Sequence, residues 1–93
     1  MCTININEVL NTKGNLPDAG KVLYEMLIKA INKGEKVTAN MEEVSSLPSI
    51  FLNVSLGKII DEYGIETLKK HIQFVKITKS QALRLKDYLE RYN

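Results

Sequence analysis

The spacing of apolar positions changes period several times along the chain, and each change marks an element. From Thr3 to Leu10 apolar and polar residues alternate weakly, with Ile4 and Ile6 separated by Asn5 and Asn7, which predicts a strand near a sheet edge. Lys13-Gly14-Asn15 is turn chemistry. Pro17 suits the first turn of a helix, where a missing N–H costs nothing, and Asp18 suits the positive end of the helix dipole. Ala19, Val22, Leu23, Met26, Leu27, Ala30 and Ile31 then recur at three-four spacing and form one apolar face. Gly34 stands where a left-handed C-cap belongs.

Lys36 to Met41 reads as a second strand, with Val37, Ala39 and Met41 on one side. Glu42 to Ser49 is a loop holding three serines and Pro48. A helix from about Pro48 to Tyr63 follows and stops at Gly64, then a helical turn at Glu66–Lys70 and a strand from His71 to Ile77. Thr78-Lys79-Ser80-Gln81 has the form of a capping box and opens a last helix with Ala82, Leu85, Leu89 and Tyr92 as its buried stripe. The order is β-α-β-α-(α)-β-α. Alternation of this kind implies right-handed crossovers and a largely parallel sheet.

Ninety-three residues make room for one domain, and its 44% hydrophobic and 26% charged content excludes disordered and fibrous classes. A net charge of +2 is too small to argue for nucleic acid or membrane by itself. No apolar run approaches the roughly 20 residues of a membrane span, and Met1-Cys2-Thr3-Ile4-Asn5 lacks a signal-peptide layout. Cytoplasm is the expected location. One cysteine, Cys2, allows no internal disulfide and reads as a bystander.

Candidate chemistry is sparse. Gly14 stands alone and Gly20 lies inside the first helix, so no glycine-rich phosphate loop exists. His71 and Cys2 do not make a metal site, and His71 reads as a solvated or structurally bonded imidazole. Glu42-Glu43 and Asp61-Glu62 are adjacent pairs whose side chains point apart, and both read as solvated charge. No catalytic residue, metal or cofactor is assigned. Lys69, Lys70, Lys76, Lys79, Arg84 and Lys86 form a run with no acidic residue. That run is either ordinary surface or a patch for an acidic partner. Nucleic acid is the weaker option, because no aromatic residues are interleaved to stack bases.

The junction Ser45-Ser46-Leu47-Pro48-Ser49-Ile50-Phe51 joins a strand-end loop to a helix start, a place where open α/β sheets present functional groups. Ser46 or Ser49 is read there as an N-cap, a phosphorylation site, or both. At 100° per residue Leu52, Leu56, Ile59, Ile60 and Tyr63 share the core face of the second helix. Ile50 and Val54 fall on the opposite side, with Phe51 flanking them and Gly57 nearby. Two readings stay open for this flank. Either the last helix or the Glu42–Leu47 loop covers it, or it docks a partner or a second copy, with Gly57 letting the partner's backbone approach.

Lys36-Val37-Thr38-Ala39-Asn40-Met41-Glu42-Glu43-Val44, the serine-rich turn, Phe51 and Gly57-Lys58-Ile59 resemble the STAS-like domains, bacterial relatives of the anti-sigma-factor-antagonist STAS domain. Gly20-Lys21-Val22-Leu23 and His71-Ile72-Gln73-Phe74-Val75 fit the same pattern, so the resemblance covers nearly the whole chain. It implies an α/β STAS-like sandwich over residues 1–93: a small mixed or mostly parallel sheet with helices mainly on one face. It also implies a non-catalytic regulatory module that binds a protein partner, a GHKL-type ATPase or kinase, and is switched by phosphorylation of a serine. Ser49 stands at the position similar to that serine, and Ser46, Ile50, Phe51, Val54 and Gly57 make up the expected partner surface. Pro48 replaces the antagonists' aspartate and Ile50 their frequent second serine; Asn40 replaces the family's usual aspartate and Val54 its usual glutamate. The alternative function is a nucleic-acid-binding accessory that uses the basic C-terminal half.

Overall fold

The computed structural model describes residues 2–12 and 14–92. Three parallel strands, β1 (Cys2–Asn5), β2 (Val37–Asn40) and β3 (Ile72–Val75), pair in the order β1-β2-β3. The helices are α1 (Ile6–Thr12), α2 (Leu16–Lys33), α3 (Ser49–Asn53), α4 (Leu56–Tyr63), α5 (Ile65–His71) and α6 (Lys79–Arg91). Sequential order with right-handed crossovers sends both connections over one side of the sheet. The register agrees. Ile4, Ala39 and Phe74 align, as do Val37 and Ile72, and these residues are buried or half-buried. Thr3, Thr38 and Gln73 align on the other face, where Thr3 and Gln73 are exposed.

The first predicted strand is cut short. After Asn5 the chain turns into α1, because the Asn5 side-chain oxygen accepts the Glu8 N–H at 3.0 Å and caps a helix. Ile6 and Val9, both buried, then stand at helical spacing rather than on a strand. Helix α2 follows expectation. Asn15 caps it through the Asp18 N–H at 2.9 Å, and Gly34 closes it at φ 69°. The Glu35 N–H returns to the Ala30 carbonyl at 2.9 Å, which completes the end. Ala19, Leu23, Leu27 and Ala30 are buried, whereas Met26 is exposed. The turn residue Lys13 and the side chain of Cys2 lie outside the described residues.

The second predicted helix is two helices. Ser55, at φ −119° and ψ −86°, interrupts it, and its buried hydroxyl donates to the Phe51 carbonyl at 2.7 Å. A hydroxyl offered back to the carbonyl four residues earlier competes with the helical ladder. The break ends α3 at Asn53 and starts α4 at Leu56, where the sequence predicts one helix. Leu52, Leu56 and Ile59 are buried as expected, but so is Phe51, while Tyr63 is exposed. Helix α5 extends through His71, whose Nδ1 hydrogen bonds the Thr67 carbonyl at 2.8 Å. The carbonyl can only accept, so Nδ1 carries the proton, and the structurally bonded reading of His71 holds on a helix end rather than a strand start.

The capping box of α6 forms in both directions. Thr78 Oγ1 accepts the Gln81 N–H at 3.1 Å, and the Gln81 side chain accepts the Thr78 N–H at 3.1 Å. Its buried face is Gln81, Leu85 and Tyr88, with Leu89 and Tyr92 half-buried; Ala82 is exposed, which displaces the expected stripe.

Candidate functional site

In open parallel sheets, ligand crevices open at strand ends where the winding direction reverses. Strand order β1-β2-β3 has no reversal, so the topology builds no such crevice. The strand tips are also occupied. Asn5 caps α1, and the Asn40 side-chain oxygen accepts the Glu42 N–H at 2.9 Å. The loop from Glu42 to Pro48 then carries the chain away from the sheet before α3 begins. Glu43 takes φ 67° within it, and Glu42 pairs with Lys76 at 3.5 Å across the end of β3.

What this loop and α3 do meet is α6. A single stripe of α6 reaches successive points from the loop to α4. The Gln81 amide donates to the Val44 carbonyl, and Arg84 donates to the Leu47 carbonyl at 3.0 Å and to Ser49 Oγ at 2.9 Å. The Tyr88 hydroxyl donates to Asn53 at 2.7 Å and the Tyr92 hydroxyl to Asp61 at 2.9 Å. The two tyrosine rings lie 5.6 Å apart and tilted, directly over Gly57. Between α3 and α6 this leaves a shallow groove of about 290 Å³ lined by Ser49, Asn53, Arg84, Asp87, Tyr88 and Arg91, with Tyr92 at its end.

The partner surface expected from the sequence is divided by this packing. Ser46, Ser49 and Ile50 are exposed, with Ile50 at 49%. Phe51 is 1% exposed and belongs to the core, and Gly57 is buried beneath Tyr88 and Tyr92. Val54 is half-buried, and its side chain fills the space over Gly20. Gly57 therefore admits the protein's own aromatic rings rather than a partner's backbone. Neither serine caps a helix: Pro48 occupies the N-cap of α3 without a side-chain bond, and Ser49 is turned toward Arg84.

The arrangement holds no reactive set. Ser49 meets a guanidinium and not a base, so nothing withdraws its proton. Burial, followed by the nearby Tyr92 and Asp61, pushes the Tyr88 phenol up to about 12. Tyr92 is raised by burial and by its bond to Asp61. Both phenols are therefore protonated donors at neutral pH. Among the described residues no cluster of His, Cys, Asp or Glu could hold a metal ion. Asp61 and Glu62 point apart as expected, yet each accepts a tyrosine hydroxyl, from Tyr92 and Tyr24. Of the basic run, Lys76 is tied to Glu42 and Arg84 to the loop and α3.

Sequence reasoning assigned Arg84 only a share of surface charge, and it passed over Gln81, Tyr88 and Asn53 as site residues. The signal was present in the spacing of Gln81, Arg84, Tyr88 and Tyr92, which recur three or four apart on one helix stripe. What each of them reaches is set by residues more than 30 positions away.

No curated protein and no solved structure matches the chain. The family model described as a STAS-like domain of unknown function matches residues 18–82, from the first turn of α2 into the first turn of α6. With three parallel strands, helices on one side of the sheet and a match over more than half its length, the chain belongs to the family of STAS-like domains.

Proposed function

We propose that this domain is a non-catalytic regulatory module that docks a protein partner through the exposed ridge of Ser46, Ser49 and Ile50. The observation that carries this reading is Ile50. A large apolar side chain 49% exposed stands next to the exposed Ser49, on a short helix that packs on α2 and is tied to α6 through Arg84. Rigidly presented apolar side chains with a polar surround are the usual anchors of interfaces. Ser49 faces a guanidinium rather than a base, which favours binding over catalysis at this ridge. Family membership favours a regulatory role, and the resemblance to antagonists suggests a GHKL-type ATPase or kinase as partner, with Ser49 as the residue it modifies.

The test is calorimetric titration of the domain with a GHKL-type ATPase encoded beside it. Ile50→Glu leaves the melting temperature near that of the wild type and weakens binding at least tenfold. Val54→Glu unfolds the domain at lower temperature, because Val54 fills the space over Gly20. Wild-type affinity in folded Ile50→Glu removes the ridge from the interface.

A further inference from the structure

We infer that Arg84 is a built-in receiver for a phosphate on Ser49, so that phosphorylation tightens α3 against α6 instead of presenting the phosphate outward. The inference rests on the reading of Ser49 as a modified residue, but its geometry comes from α6. Arg84 is half-buried and spans 35 positions of sequence to place one nitrogen 2.9 Å from Ser49 Oγ and 3.0 Å from the Leu47 carbonyl. A guanidinium gains little from a neutral hydroxyl, and far more from the two or three charged oxygens that a phosphate sets around the same atom. Helix α3, five residues long, contributes nothing comparable; the charge comes from α6.

The charged groups facing the groove are Arg84, Arg91 and Asp87, with the phenols of Tyr88 and Tyr92 beside them. Arg91 is held by Asp87 at 3.1 Å, whereas Arg84 has no carboxylate partner among the described residues and bonds Ser49 and the Leu47 carbonyl. Ser49 is exposed, so a kinase can reach its hydroxyl. In that transfer the Oγ–phosphorus bond forms as the bond from the γ-phosphorus of a nucleoside triphosphate to its bridging oxygen breaks. The nucleoside diphosphate leaves, and the hydroxyl proton passes to solvent.

The experiment installs phosphoserine at position 49 during translation and follows its ³¹P resonance with pH, alongside the Arg84 side-chain nitrogen signals. Beside Arg84 the second ionisation falls below the value near 6 expected of a free phosphoserine. It returns to about 6 in Arg84→Gln, and the melting temperature of the wild type rises on phosphorylation at pH 7.5 while that of Arg84→Gln does not. Should Arg84→Gln fail to fold, the wild-type spectra decide: a titration at about 6 with unmoved guanidinium resonances overturns the inference. Because no kinase is used, a failure here leaves the docking ridge standing, and an absent partner leaves the receiver standing.

Discussion

Of the glycines, Gly20 and Gly57 have other residues packed closely over them, and they tolerate a methyl group to different degrees. A Cβ at Gly20 would meet the Val54 side chain and lie 2.8 Å from the Phe51 carbonyl, which is backbone and cannot swing aside. At Gly57 it would lie 2.7 to 2.9 Å from the outer atoms of Tyr92 and Tyr88, which can rotate outward. Overpacking of this kind costs about 1–3 kcal/mol. Gly20→Ala therefore lies at the upper end in chemical denaturation and Gly57→Ala at the lower, the latter with loss of the Tyr88–Asn53 bond in NMR spectra. Equal midpoints for the two variants would contradict the distinction. The sequence marks Gly57 for close backbone approach and Gly20 only as part of a short motif; what crosses over them is set by the tertiary structure.

At the scale of elements, the division of α3 from α4 turns on Ser55. The hydroxyl donates to the Phe51 carbonyl from a site with no exposure. Ser55→Ala removes that donor inside the core, and a buried group left without its partner costs about 1–3 kcal/mol. Amide exchange of α3 should quicken more than that of α2; uniform acceleration would show that α3 is not separately hinged. The wheel through Pro48–Tyr63 places Leu52, Leu56 and Ile59 correctly but not Phe51, whose helix packs on α2, or Tyr63, which stands exposed at the last residue of α4. The helix ends were far more legible. Gly34, Thr78 and Gln81 act through neighbours three to five residues away, and those neighbours are in the sequence itself, whereas Asn15 reads as a turn residue and proves to be the cap of α2. Asn5 and Glu8 form the same kind of signal, hidden within an apparent alternation.

For the whole molecule, three tyrosines with raised phenols tie stability to alkaline pH. Tyr88 and Tyr24 are pushed up to about 12 from 10.0, the first by burial and the second chiefly by its bond to Glu62, and Tyr92 is raised as well. A group whose folded value is raised favours the folded state while it is protonated. Its contribution is complete below pH 10 and is lost as pH climbs toward 12. The melting temperature should fall across that window, and less steeply in Tyr88→Phe with Tyr92→Phe, which has fewer phenols to ionise. An identical alkaline decline in that double variant would assign the loss to other groups.

The sequence by itself determined the α/β alternation, from which the parallel sheet follows, the core face of α2 and the caps at Gly34, Thr78 and Gln81, because periodicity and capping depend on residues within one or two turns of each other. The STAS-like resemblance was also legible, carried by short motifs spread along the chain. Tertiary structure alone decided which side of α3 and α4 faces water. It buried Phe51 and Gly57, left Ser46, Ser49 and Ile50 outside, and brought Arg84 to Ser49. Phe51 is buried where α3 packs on α2, and Gly57 and Ser49 meet their partners where Tyr88, Tyr92 and Arg84 of the last helical segment reach back across more than 30 residues. Local periodicity carries no record of such a distant contact.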